Sequence, residues 1–146
     1  MTRWPAWIPA LLLLAAAAPA AAVDFTINVQ VTVENMPAAQ RVGAVCEVHT
    51  SPDGSTRPGS RVGGTSATQP VTGGNFSGIV TVAFDADAGR PPALARSYAC
   101  TIIVYGVGPD GRAFDGSYNA LVDTWLAATG QRITVTPTRV AGPLTP

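Results

Sequence analysis

The only histidine of the chain is His49, and its only cysteines are Cys46 and Cys100. A hydrolytic serine needs a base within hydrogen-bond reach and a carboxylate to orient that base. Ser51 and Asp53 follow His49 closely, so a hydrolase built on His49, Ser51 and Asp53 is one chemistry these types permit. No nucleophile-elbow motif accompanies them. The preferred reading makes His49 a surface histidine at a strand end, assigns no catalytic residue, and takes the protein as a non-enzyme. Asp85-Ala-Asp87-Ala-Gly89 aligns two carboxylates ahead of a turn. Calcium takes about 6–8 oxygen ligands. No further acid follows at the spacing of a calcium loop, and Arg90 and Arg96 stand close enough to neutralise the pair. A solvated loop is therefore preferred, with Asp85 and Asp87 as the only weak calcium candidates and no cofactor expected. Trp125 has the type for stacking on a sugar, but it sits on an apolar stripe and reads as packed. Asn75-Phe-Ser77 fits a glycosylation sequon and reads as incidental. The ligand stays unknown at this level.

The start of the chain sets the compartment. Arg3 precedes an apolar run from Ile8 to Ala18, and Ala20 and Ala22 then give Ala-x-Ala before Val23. This order is that of a secretory signal. Residues 1–22 are expected to be removed, the cut falling before Val23 or a residue or two earlier, and 23–146 to form one domain. A membrane anchor competes with this reading, but a spanning helix needs about 20 apolar residues. Pro9 and Pro19 bracket a shorter run, and polar alternation begins at Asp24. No other segment is long and apolar enough to span. No cysteine stands directly after the cut, which argues against a lipid anchor.

Every basic residue is Arg, and Ala, Gly and Pro are abundant. That composition suggests a GC-rich, bacterial genome. The formal net charge is zero, and the basic residues are scattered, which argues against nucleic acid as a partner. A periplasmic or secreted location makes a Cys46–Cys100 disulfide reasonable. Closing that loop is worth roughly 4 kcal/mol in the chain-entropy model. A pair of buried free thiols is the alternative.

The elements that would position these groups are mostly strands. Phe25–Val33 alternates apolar and polar residues without a break, the pattern of a half-buried strand. Val42–Thr50, Phe76–Phe84 and Ser97–Gly106 alternate in the same way. Residues 51–75 are rich in turn signals, and any strand there should be short, at Ser60–Val62 or Ser66–Val71. Gly108-Pro-Asp-Gly111 turns into a short strand at Arg112–Phe114. Between 117 and 129, Tyr118, Leu121, Val122, Trp125 and Leu126 fall on a helical stripe, with Gly130 placed as a C-cap. A short helix is favoured there over a strand. Gln131–Pro137 reads as a last strand.

Six to seven short strands in one domain indicate an antiparallel β-sandwich. Cys46 lies on an early strand, Cys100 on a late one, and Tyr98 stands two residues before the second cysteine. This arrangement resembles the immunoglobulin-like domains, whose inter-sheet disulfide and tyrosine corner occupy such positions. Two marks of that family are absent: residues 56–62, where its buried tryptophan would stand after Cys46, read Thr-Arg-Pro-Gly-Ser-Arg-Val, and Leu94 stands four residues before Tyr98 in place of the usual Asp. The resemblance implies a fold and no activity. The expectation is an exported, non-enzymatic structural or recognition module with a protein or cell-surface partner. The alternative is a fimbrial or adhesin-type subunit assembling by strand exchange, with Phe25–Val33 as the donated strand. The oligomeric state is left open.

Overall fold

The computed structural model describes residues 22–108, 111–117 and 134–144. Within them the chain forms eight strands: β1 (Phe25–Glu34), β2 (Ala39–His49), β3 (Arg61–Pro70), β4 (Phe76–Phe84), β5 (Ser97–Val107), β6 (Ala113–Ser117), β7 (Thr134–Thr136) and β8 (Arg139–Pro143). The one helical element among the described residues is a 3-10 turn at Pro92–Leu94.

The alternation of β1 becomes its burial. Ile27, Val29, Val31 and Val33 face inward, while Thr26, Asn28 and Gln30 are exposed. β1 pairs antiparallel with β4 over its length, from Phe25 opposite Phe84 to Val33 opposite Phe76. On its other edge it meets β7, but only at Thr32–Glu34. The first sheet thus runs β4-β1-β7, and the second runs β3-β2-β5-β6. The far edge of β5 is shared: β6 takes Ile103–Val107 and β8 takes Ser97–Thr101.

The core lies between the sheets. Val31, Val33, Val80 and Val82 of the first sheet meet Val42, Ala44, Val48, Ile102 and Val104 of the second, all fully buried. Each such side chain contributes about 1.5–3 kcal/mol relative to exposure. Phe25 and Phe84 close one end of the sandwich with ring centroids 5.4 Å apart. No helix among the described residues is long and apolar enough to cross a membrane.

Cys46 and Cys100 are joined by a disulfide. The bridge corrects one part of the immunoglobulin comparison. The two cysteines are direct partners on β2 and β5, adjacent strands of one sheet, with Cα atoms 4.0 Å apart. That is the closely spaced, non-hydrogen-bonded kind of antiparallel pair. The disulfide therefore locks a register within a sheet and does not tie two sheets together. Tyr98 likewise makes a cross-strand contact: its ring packs over Gly142, its direct partner on β8, where a β-carbon would lie 3.2 Å from the ring.

Three expectations about elements change. Residues 61–70 form one long strand where only short ones were expected. β3 pairs with β2 from Arg41 opposite Pro70 to His49 opposite Arg61, yet most of its side chains are exposed. Its backbone ladder holds it in place, and little hydrophobic alternation is needed. Gly64 is required there, because a β-carbon would sit 2.7 Å from the Cys46 carbonyl oxygen. The short strand expected at Arg112–Phe114 runs instead from Ala113 to Ser117. The helix expected at 117–129 lies outside the described residues, apart from Ser117, which ends β6. Finally, β8 adds a strand that the sequence pattern did not announce.

Candidate functional site

The residues with chemical potential gather at the end of β2, under the loop of residues 50–60. A register shift between Val48 and His49 marks the end of the ladder. His49 is 2% exposed, so the expected surface histidine is buried instead. The reason is the returning loop: Thr50 N–H donates to the Ser60 carbonyl at 2.9 Å, and Arg96 N–H donates to the His49 carbonyl at 2.8 Å. The loop is braced from within. Ser51 Oγ donates to the Ser55 carbonyl at 2.8 Å, and Ser55 N–H donates to Asp53 Oδ1 at 3.1 Å. The buried Ser97 hydroxyl donates to the Ser51 carbonyl at 2.5 Å. The Ser55 hydroxyl beside Asp53 and the Ser55 N–H hold the Asp53 carboxyl below its ordinary value. The Ser55 hydroxyl has no hydrogen-bond partner of good geometry, so the N–H contact is the firmer cause.

His49 therefore has different neighbours from those its sequence position suggested. Its Nδ1 lies 3.1 Å from Ser60 Oγ. Ser60 Oγ also lies 2.7 Å from the Arg57 carbonyl, which can only accept. The serine proton goes to that carbonyl, so Ser60 Oγ accepts from His49 Nδ1–H. His49 Nε2 lies 3.6 Å from Glu47 Oε2 and has no hydrogen-bond partner. Glu47 Oε1 is also 3.6 Å from Arg61 Nε, which is 3.5 Å from Asp87 Oδ2. Ser51 and Asp53 bond the loop, and the groups around His49 are Ser60 and Glu47. A serine hydrolase has the serine on Nε2 and the acid on Nδ1; here the two are exchanged. Ser60 is 8% exposed, with its proton on a carbonyl. The cluster is built to hold a loop against a strand. Sequence reasoning missed Ser60 and Glu47. Glu47 shares an alternation face with His49, which was a usable signal, but Ser60 meets His49 only through the path of the loop.

The aspartate pair points two ways. Asp85 Oδ1 accepts from Asp24 N–H at 3.3 Å, while Asp24 Oδ2 accepts from Ala86 N–H at 3.0 Å. Asp87 belongs with Arg61 on β3. Among the described residues, no group of three or more His, Cys, Asp or Glu is placed to hold a metal ion. Asn75 braces a turn: its Oδ1 accepts from Asn35 N–H and its Nδ2 donates to the Gly73 carbonyl. Trp125 lies outside the described residues.

The outer face of the second sheet carries a cavity of about 270 Å³ lined by Val45, Glu47, Thr56, Ala99, Thr101 and Arg139. A groove of about 710 Å³ runs beside Asp24–Ile27, with Ala93, Ala95 and Leu144 on its far wall. The chain matches no protein-family model, and no curated protein or solved structure is significantly similar to it.

Proposed function

We propose that the protein is an exported, non-enzymatic β-sandwich that serves as a recognition or structural module in the periplasm or outside the cell. The observation that carries this reading is the buried Cys46–Cys100 bridge between paired central strands. Bridges of this kind form and persist in oxidising compartments, which agrees with the leader-like residues 1–22. The non-enzymatic part rests on the candidate hydrolase residues: Ser51 and Asp53 brace a loop, and His49 is buried beneath it.

Expression with residues 1–22 in place, followed by fractionation, tests the reading. The expected product is found outside the cytoplasm, begins at or within a residue or two of Val23, and gains two hydrogens in intact mass on reduction. Retention in the cytoplasm with free thiols would overturn export. Turnover in a broad hydrolase screen, lost in His49→Ala with the fold intact, would overturn the non-enzymatic part.

One observation favours a second reading, assembly by strand addition. Phe25–Val33 is already paired within its own chain, so it is not a free donor. Among the described residues, however, the edge of β1 opposite β4 is paired only at Thr32–Glu34. Among the described residues Phe25–Val31 has no partner on that edge, and Phe25–Ile27 lies beside the 710 Å³ groove. A strand from a second copy fits such an edge by main-chain hydrogen bonding.

A further inference from the structure

From the cavity on the outer face of the second sheet we infer that the protein binds a small zwitterion, an amino acid with free ammonium and carboxylate groups, between Glu47 and Arg139. The inference deepens the recognition reading and rests on it.

The register sets the geometry. Glu47 stands opposite Ala99, which stands opposite Ala141; Val45 stands opposite Thr101, which stands opposite Arg139. Directly opposed residues share a face, so all six belong to the outer face. Glu47 and Arg139 are two strands and one alternation step apart. With strands about 4.8 Å apart and about 3.4 Å per residue, their Cα atoms lie about 12 Å apart. On β5 between them the floor is Ala99 and Thr101, with Val45 beside Glu47 on β2, which leaves room for a small side chain. Thr56 and Thr101 line the same space. The loop after β2 walls one end: a β-carbon on Gly54 would touch Ala141 at 3.5 Å.

The two charges are in different states. Arg61 Nε lies 3.6 Å from Glu47 Oε1 and orients the carboxylate from the β3 side. Among the described residues, no carboxylate lies within ion-pair distance of Arg139. A simple anion meets only Arg139, and a simple cation only Glu47, whose charge Arg61 already shares. A zwitterion satisfies both, its carboxylate on the planar guanidinium and its ammonium on Glu47. The site is an open depression of about 270 Å³, which admits a ligand of amino-acid size.

The experiment titrates the bridged mature protein with glycine, L-alanine and D-alanine, following the backbone amides of Val45, Ala99 and Thr101 by nuclear magnetic resonance. The controls are N-acetyl-alanine and alanine methyl ester, which each lose one charge while the protein is unchanged. At least one zwitterion should saturate with a Kd on the order of 1 mM. Either blocked probe, or the exposed-site variant Arg139→Gln, should weaken binding about tenfold or more. Absence of saturable shifts for every zwitterion overturns the inference. So does equal binding of the blocked probes, or unchanged binding by Arg139→Gln. Failure of the titration with an exported, bridged protein removes this pocket alone. Cytoplasmic retention would remove the export reading whatever the titration gives.

Discussion

Ser60 shows how one hydroxyl can decide whether a histidine is chemistry or architecture. Its Oγ accepts from His49 Nδ1 and donates to the Arg57 carbonyl, closing the loop of residues 50–60 over β2. Ser60→Ala removes the acceptor and leaves a buried N–H without a partner. A buried unsatisfied group costs about 1–3 kcal/mol. Urea unfolding of Ser60→Ala should show a loss in that range, with Ser60→Thr recovering part of it. Wild-type stability in Ser60→Ala would mean that the hydroxyl does not brace the loop. Asp53 makes a smaller, pH-dependent contribution. Its carboxyl is held below its ordinary value, so the folded state favours the charged form. The stabilisation is present above the unfolded-state value of about 3.9 and is lost as pH falls through the lower folded-state value. Asp53→Asn should therefore flatten the acid limb of the stability–pH curve, lowering stability slightly near neutrality and leaving it unchanged at the acid end. A curve that keeps its full acid slope in Asp53→Asn would place the linkage on another group.

At the level of elements, the disulfide and β3 make contrasting cases. The bridge fixes Cys46 opposite Cys100, and with it the whole β2–β5 register. The double variant Cys46→Ala, Cys100→Ala should lose about 2–5 kcal/mol in denaturant unfolding, and reduction of the wild type should give a similar loss. β3 depends on backbone. Gly64→Val would drive a side chain into the Cys46 carbonyl and should cost about 1–3 kcal/mol. Ser66→Val, exposed on the same strand, should stay within about 0.5 kcal/mol. These cases also mark what could be read from the sequence. β1, β2, β4 and β5 were legible because each buries one face, and burial writes itself as alternation. β3 was not, because its side chains are mostly exposed and its information lies in hydrogen bonds. β8 was not, because Arg139–Pro143 is short and lacks an alternating apolar run. The pairing of Cys46 with Cys100 was legible, while its place within one sheet was not, since alternation gives a face and not a neighbour. At the candidate site, His49 was visible as a residue type. Its partners Ser60 and Glu47 depended on where a turn-rich loop came to rest.

For the molecule as a whole, the second edge of β1 decides whether the sandwich acts alone or in chains. Edge strands are normally guarded by charge, proline or brevity. β1 has none of these from Phe25 to Val33, and Glu34 is its first charge. Among the described residues, β7 covers only its last turn of ladder. Yet β1 is paired with β4 from Phe25 to Val33, so that edge is already satisfied within its own chain. The recognition reading predicts a monomer by light scattering at all accessible concentrations. Hydrogen exchange separates the two readings residue by residue. In an antiparallel strand, successive N–H groups point to opposite edges. A monomer should therefore show slow and fast amides in alternation from Phe25 to Val31, the slow ones facing β4. Strand addition by a second copy would protect both sets. It would also make particle size grow with concentration, and Asn28→Lys, a charge placed in mid-edge, should reverse that growth. Alternating protection in a monomer would remove the assembly reading. Uniform protection with growth that Asn28→Lys abolishes would put assembly in place of solitary recognition.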